Sequence, residues 1–339
     1  MKKYLIGAKG NFYKANLHVH TNISDGKLSP LEIKKEYMRE GYSILAYTDH
    51  EVLVPHEDLT DENFLAITAY EASVNEERRG RDFQFMKTYH LNFYARNASE
   101  TVSPCFNEDC IWLEHSRAFV SREQTKISYP IAYTTECVND MINRAKEAGF
   151  LVSFNHPVWS LQSYEDYIYL QGLWGVEVYN TAATLEGYPD TDTPFVDLLR
   201  AGEFVFPLAT DDAHSLSHAF GGFTVVEAER LDYESVFNAL EKGDFYASNG
   251  PRIREMFLED GKLTIRHDEA KRVTLRTERR IAFTVTGEHL TETVFDLSWY
   301  QKWNETCKDR TPSFIRITLE DERGRKAWTR AYLETELKN

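Results

Sequence analysis

Histidine and carboxylate side chains recur along this chain at spacings that suit metal ligation. The series opens with His18-Val19-His20 and continues through Asp25, the adjacent pair Asp49-His50, Glu71, His90 and His156. It closes on Asp211-Asp212-Ala213-His214. Imidazole and carboxylate together suit borderline divalent ions such as Zn, Mn and Fe(II). On a strand, His-x-His turns both rings to one face, because side chains there repeat with period two. Asp212-x-His214 does the same, which favours Asp212 over Asp211 as the inward carboxylate. A carboxylate such as Glu71 can bridge two ions, which a histidine cannot. Any one of these residues alone has a plainer role, since a lone buried His is usually hydrogen-bonded and a lone Asp near a turn usually caps something. Six histidines with three or four carboxylates at one end of one sheet are different. Burying so many unpaired ionisable groups is very costly unless cations compensate them. The pattern predicts a multinuclear metal centre.

The elements that must position these residues can be read from the same chain. Residues 15–20 form a predicted strand ending on His18 and His20. A helix follows, with Ser29 as N-cap, Pro30 at the first helical position, Glu32 completing a capping box and Gly41 ending it. Further strands are expected over 43–48, 64–70, 89–95, 150–154, 175–179 and 204–209, with helices over 135–148 and 195–201. Strands alternating with helices imply a parallel sheet, doubly wound or closed into a barrel. Asp49 and His50, Glu71, His156, and Asp211 to His214 all stand at strand C-terminal ends, the face where active sites gather in such folds. His90 stands near the start of its strand and fits less well. Residues 97–133 are long and irregular and read as an insertion. After Asn249-Gly250-Pro251 the pattern becomes short alternating runs separated by turn residues such as Asp260-Gly261 and Arg323-Gly324, the look of a small antiparallel β domain. Two domains are therefore expected, 1–250 and 251–339.

The run His18-Val19-His20-Thr21 with Ser24-Asp25-Gly26, then Thr48-Asp49-His50, Asn155-His156-Pro157 and Asp212-Ala213-His214, resembles the PHP (polymerase and histidinol phosphatase) family over residues 15–250. The ending Phe245-Tyr246-Ala247-Ser248-Asn249-Gly250-Pro251, followed by β structure, resembles the CehA/McbA-type branch. The resemblance implies an α/β fold, a distorted (βα)7 barrel carrying three metal ions at its C-terminal face. It implies one ion on His18, His20, Glu71 and Asp212, a second on Glu71, His90 and His156, and a third on Asp25, His50 and His214. Asp25 fills a position that is histidine in some relatives. Zn, Mn or Fe is expected as the metal. Coordination lowers the pKa of water to about 7, so a hydroxide is available at neutral pH, and the ions would take up charge in an in-line displacement. Asp49 is expected to orient a ligand imidazole or relay a proton. His218, four residues after His214, could protonate a leaving group or bind phosphate, or be an ordinary loop histidine. Glu177 and Asn180 could face the same mouth or simply hold loop backbone.

The composition bounds the partners. The chain has 339 residues, with 39 Lys+Arg against 54 Asp+Glu and a formal net charge of −15. That balance argues against duplex nucleic acid or an anionic membrane as partner. Residues 251–339 carry net +2 and residues 1–250 net −17, and nine of the 11 histidines precede position 219. Cys105, Cys110, Cys137 and Cys307 are too few and irregular for a disulfide framework, which fits free thiols in a reducing compartment. The N-terminus lacks the apolar stretch of a signal peptide and no run approaches the ~18 residues of a membrane span, so a cytoplasmic protein is expected.

The leading expectation is a metal-dependent phosphoesterase acting on a small phosphorylated molecule. The same hydroxide would attack non-phosphate esters, carbamates or amides, and that alternative predicts a pocket poor in cations and rich in aromatics such as Trp159 and Trp174. The phosphoester reading needs Lys or Arg at the mouth, with Lys87, Arg117 and Arg252 as candidates. An oligonucleotide-directed nuclease is a third reading, because a short single strand needs no extended basic groove. A non-catalytic accessory module is disfavoured by the completeness of the ligand set. The β domain could cover the site, bind substrate or dimerise into a homo-oligomer.

Overall fold

The computed structural model describes residues 1–8, 10–80, 82–300 and 313–338. Cys307 lies outside them. The expected first helix forms as α1 (Pro30–Arg39): Ser29 accepts from the Glu32 N–H, the Glu32 side chain returns to the cap, and Gly41 follows at φ +76°. The seven strands read from the sequence are present as β2 (Asn11–Val19), β3 (Ile44–Tyr47), β4 (Leu65–Asn75), β5 (Thr88–Ala95), β6 (Phe150–Phe154), β7 (Gly175–Asn180) and β8 (Phe206–Thr210). A short strand, β1 (Lys3–Ile6), precedes them. The helices α2 (Thr135–Glu147) and α5 (Thr193–Ala201) also form, with two short helices, α3 (Tyr164–Tyr167) and α4 (Thr181–Leu185), between them. On α2 the buried residues Val138, Met141, Ile142 and Ala145 repeat at helical spacing and make one apolar stripe against β6.

The expectation of a parallel, closed (βα)7 barrel needs correction. β2–β3–β4 and β6–β7–β8 are parallel, but β5 runs antiparallel to both β4 and β6. The sheet is not closed by a strand ladder. β8 and β2 lie side by side without a ladder, and the chain just past β8 is tied to the end of β2 by the Asp212 N–H on His18 O at 2.9 Å and the His20 N–H on Ala213 O at 3.1 Å, around the isolated Val19–Ala213 bridge. The other edge of β2 pairs antiparallel with β9 (Phe223–Ala228), which pairs with β10 (Phe245–Ser248) around the helix α6 (Tyr233–Lys242). None of these three elements was read from the sequence.

Beyond residue 250 the expected antiparallel strands form: β11 (Ile253–Glu259), β12 (Lys262–Thr277), β13 (Ala282–Asp296), β14 (Phe314–Glu320) and β15 (Lys326–Thr329). Asp260 and Gly261, both at positive φ, make the two-residue turn between β11 and β12. These strands continue the sheet, because β15 pairs with β10 and β11 pairs with β1. One apolar core joins Val19, Leu45 and Tyr246 to Ile265, Val273 and Leu319, so residues on both sides of position 250 share it. Among the described residues no helix is long and apolar enough to cross a membrane.

Candidate metal centre

Strand ends build one cluster. β2 carries His18 and delivers His20 just past its end, β3 leads into Asp49 and His50, and His156 follows β6. Glu71 lies within β4, opposite Asn92 of β5, while His90 pairs with Ser73. Because β5 runs antiparallel, its start lies beside the finish of β4. That is why His90 reaches the cluster from the beginning of its strand.

Glu71 stands at the centre. Its Oε1 lies 3.3 Å from His18 Nε2, 3.2 Å from His90 Nδ1 and 3.6 Å from His156 Nε2. Its Oε2 lies 3.4 Å from His20 Nε2 and 3.3 Å from His50 Nδ1. Asp212 Oδ1 approaches the same two rings, at 3.0 Å from His20 Nε2 and 3.3 Å from His18 Nε2. Asp25 lies to one side, with Oδ2 at 3.2 Å from His214 Nε2 and 3.6 Å from His50 Nε2. Four groups of donor atoms, the atoms of each within 4.8 Å of one another, result among the described residues: His18, His20, Glu71 and Asp212; Glu71, His90 and His156; His20, Asp25, His50 and His214; and His18, His156 and Glu177. His20 thus faces two of them, which the sequence did not suggest.

The arrangement suits cations. His20 Nδ1, His50 Nδ1, Glu71 Oε2 and His156 Nε2 are buried with no hydrogen-bond partner. Each such atom costs about 1–3 kcal/mol if left unsatisfied, and a divalent ion would satisfy several together. The 3.0–3.4 Å separations among His18, His20, Glu71 and Asp212 are close to the ~3.4 Å edge of a tetrahedron with ~2.1 Å bonds. Imidazole nitrogen with carboxylate oxygen is the donor mixture that Zn, Mn or Fe(II) accepts.

Electrostatics show how strongly the carboxylates hold their charge. Burial alone would raise Glu71, yet His18, His90 and His156 hold its pKa well below the usual range; Asp212 is held low in the same way by His18, His20 and His214. Burial opposes charge on His18, but Asp212, Glu71 and Glu177 outweigh it and keep its pKa high. His214, raised to about 9 against its burial by Asp25 and Asp212, contrasts with His50, which burial and the neighbouring His20 lower to about 3.

Backbone strain concentrates in the same place. His156 at φ +25° and Asp212 at φ +53° both occupy the left-handed region, at a cost of about 1–3 kcal/mol each. The Asp212 conformation decides which aspartate faces inward. β8 ends at Thr210, so strand periodicity does not apply beyond it; the turn at Asp212 aims that side chain at the histidines. Asp211 points into the fold, where it accepts from Tyr37 Oη at 2.8 Å, Thr181 Oγ1 at 2.5 Å and the N–H groups of Phe220, Gly221 and Gly222.

The other expected residues divide. Among the described residues Asp49 has no hydrogen bond to an imidazole: its oxygens accept from Thr21 N and Oγ1 and from Ser24 N and Oγ, fixing the loop that presents Asp25. The orienting role falls to Glu177, whose Oε1 lies 2.7 Å from His18 Nδ1 and whose Oε2 accepts from His156 N and Asn180 Nδ2. Asn180 also donates to Asp212 Oδ2 at 3.3 Å. His218 lies beside the cluster, its ring 6.4 Å from His214. Trp159 packs against His156 and His90, at ring separations of 5.0 and 5.6 Å. Trp174 is instead buried in the core against Tyr94 and Phe245. Trp112, unmarked in the sequence because it sits in the irregular 97–133 segment, lies 5.9 Å from His50. That segment also clamps the 21–26 loop, through His115 Nε2 on Ser24 O and Ser116 Oγ on Ile23 O, both at 2.7 Å. Lys87 is paired with Asp166, and Arg117 with Glu108 and Glu114. Arg252 donates its backbone N–H to Asp268. None of these three has an ion pair with a cluster residue among the described residues.

No protein-family model and no curated protein matches the chain. Among solved structures it is similar to a two-domain protein from Bacteroides vulgatus containing a predicted PHP-like metal-dependent phosphoesterase, at 14% identity and a TM-score of 0.44, over 98% of this chain and 99% of that one. It is also similar to a lesion-specific endonuclease from Pyrococcus furiosus, at 15% identity and a TM-score of 0.41, over 68% of this chain and 56% of that one. An amidohydrolase from Chromobacterium violaceum aligns at 17% identity and a TM-score of 0.35, over 59% of this chain and 87% of that one. By their names these are hydrolases, and all three are distant likenesses.

Proposed function

We propose that this chain is a metal-dependent phosphoesterase of PHP type, hydrolysing a small phosphorylated substrate at a site for three divalent cations, in a cytoplasmic setting. The observation that carries this reading is the convergence of six imidazoles on Glu71, Asp212 and Asp25, with four buried atoms of the cluster that make no hydrogen bond among the described residues. One ion would be held by His18, His20, Glu71 and Asp212, another by Glu71, His90 and His156, and a third by Asp25, His50 and His214. When bound, such ions lower the pKa of a water to about 7 and take up phosphoryl charge. Glu177 fixes the His18 ring so that Nε2 faces inward. Asp49 holds the loop bearing Asp25, and His218 stands where it could deliver a proton to a leaving group. We place residues 1–250 as the catalytic unit and 251–339 as an accessory β domain; the Phe245–Pro251 ending suggests the CehA/McbA branch.

Hydrolysis of a carboxyl ester, carbamate or amide is the second reading. It is favoured by Trp112 and Trp159 at the cluster and by the engagement of Lys87 and Arg117 elsewhere. Metal analysis of the purified protein, with a hydrolysis panel of phosphomonoesters, phosphodiesters and carboxyl esters in Mn, Zn and Fe(II), tests both. Turnover of a phosphoester with two or more bound ions is expected. Turnover of carboxyl esters alone would select the second reading, and an inert panel with fewer than two ions would sink both.

A further inference from the structure

Away from the histidines, α5 and the turn between β12 and β13 enclose a cleft of about 280 Å³ whose walls carry Arg200, Arg276, Arg279, Arg280 and Arg316. In a chain of net charge −15, five guanidiniums around one cleft require a physical reason. Arg276 and Arg316 are direct cross-strand partners on β12 and β14, a placement in which like charges repel. Arg316 is only 2% exposed, and burying a guanidinium is costly unless it is well paired. Its carboxylate is Asp192, at 2.7 Å from Nη1, but that Nη1 makes no hydrogen bond of good geometry, and Asp192 is shared with Arg276 at 3.7 Å. Arg200 and Arg276 further disfavour the charge that burial already opposes on Arg316.

The remaining carboxylates do not balance the cleft. Asp197 accepts from Tyr167 Oη at 3.0 Å, and Glu278 lies 2.6 Å from Arg279 Nε. Arg200 reaches only a backbone carbonyl, Glu278 O, and Arg280 has no ion pair among the described residues. Among the described residues, three carboxylates thus face five guanidiniums across this open cleft. Guanidinium forks match tetrahedral oxyanions bidentately.

We propose that this cleft is a binding site for a phosphoryl dianion, separate from the histidine cluster. None of the cluster residues lines it. Smaller clefts do lead from one to the other: the one beside His156 and Asn180 shares Asp190 and Thr191 with the next, which in turn shares Asp192 and Arg276 with the arginine cleft. The phosphoryl group can therefore belong to the far end of an extended substrate or to a separate small ligand, and the test distinguishes these sources.

Calorimetric titration of the full chain, stripped of metal by chelator, with inorganic phosphate and with pyrophosphate reads the site without involving the histidine cluster. One saturable site is expected. The double variant Arg276→Gln/Arg280→Gln, and independently Arg200→Gln, should weaken it by at least about tenfold, whereas Arg280→Lys should retain most of it. All three positions are exposed, and unchanged thermal unfolding would show that the variants fold. Absence of saturable binding by the parent, or equal binding by parent and variants, overturns the site. In the metal-loaded protein, a raised KM for a bisphosphorylated but not a monophosphorylated substrate, with kcat unchanged, assigns the group to the substrate. Unchanged KM for both, with binding still lost, assigns it to a separate ligand. Because the binding arm uses chelated protein, failure of the phosphoesterase reading would leave it intact.

Discussion

The histidine cluster and the arginine cleft are both places where the fold crowds ionisable groups beyond what their neighbours can satisfy, and they do so with opposite sign. In the cluster the unsatisfied atoms are lone pairs on His20, His50, Glu71 and His156, and their complement is a cation. In the cleft the surplus is guanidinium charge around Arg316, and its complement is an anion. The difference also lies in how each is held. Cluster side chains are fixed from behind by uncharged or oppositely charged partners: Glu177 on His18, Asn155 Nδ2 on Glu71 Oε1 at 2.8 Å, and Asp49 under the Asp25 loop. Four of the cleft arginines instead sit partly or fully in solvent, with Arg316 the buried exception. Rigidity suits the definite geometry of metal coordination. Adaptable forks suit an oxyanion that arrives and leaves.

If the two regions are independent, each can be emptied without the other. Replacing Glu71 by Ala removes the carboxylate that faces five imidazoles. The expected result is loss of two bound ions by metal analysis and a fall in turnover of about a thousandfold or more, with phosphate binding at the cleft unchanged. Retention of both ions would refute the central role of Glu71. A parallel loss of phosphate binding would break the independence of the two sites.

A smaller effect is expected at Glu177. Glu177→Gln keeps the size and the acceptor oxygen but removes the charge beside His18 Nδ1. Partners of this kind typically contribute about 10–100-fold in metal affinity, so competition with a chelator should show weaker metal binding in that range. Asp49→Asn serves as the contrast, because among the described residues Asp49 makes its hydrogen bonds to Thr21 and Ser24 and none to a cluster imidazole. Its effect should fall on stability of the 21–26 loop, read by hydrogen exchange, more than on the ion held by His18. Equal effects of the two substitutions on metal binding would erase the distinction drawn between them.

The two regions also differ in how far they could be read from sequence. The cluster residues sit in short local patterns, His18-x-His20, Asp49-His50 and Asp212-x-His214, at the ends of strands whose apolar runs are plain. Even there, the reason for preferring Asp212 was strand periodicity, whereas the structure uses a left-handed residue past the end of β8. The mixed sheet was missed because an antiparallel β5 has the same alternation as a parallel one; only the misplaced His90 hinted at it. β9, α6 and β10 were missed although α6 carries buried Val236, Phe237, Ala239 and Leu240 and ends at Gly243 with φ +69°. The arginine cleft left only a partial pattern, with Arg276, Arg279 and Arg280 falling within five residues. Arg200, Arg276 and Arg316 come from separate elements and meet only through the β12–β14 register and the packing of α5.

The finest test concerns Glu51, a carboxylate on the flank of the cluster that lacks what Glu71 has. Glu51 is 6% exposed and held at φ +61°, and its Oε1 accepts from Ser73 N at 2.7 Å. No imidazole forms an ion pair with it among the described residues. Burial raises its pKa, the Ser73 N–H opposes that, and the nearby Glu71 charge adds to the rise, giving a value of about 8. The folded state therefore holds a proton on Glu51 that the unfolded chain releases near pH 4.5. The stabilisation from that proton is full below pH 4.5 and is lost as pH rises through 8. Glu51→Gln keeps the acceptor and cannot ionise, so in chelated protein it should match the parent below pH 4.5. By pH 9 it should be more stable by something on the order of 2 kcal/mol. Urea unfolding of both proteins at the two pH values reads the difference directly, and parallel behaviour would remove Glu51 from the account. Loading the cluster with divalent ions should shrink the gap, because added positive charge lowers the pKa of a neighbouring carboxyl group. The arginine cleft offers no such coupling, so loading it with phosphate should leave the gap as it was.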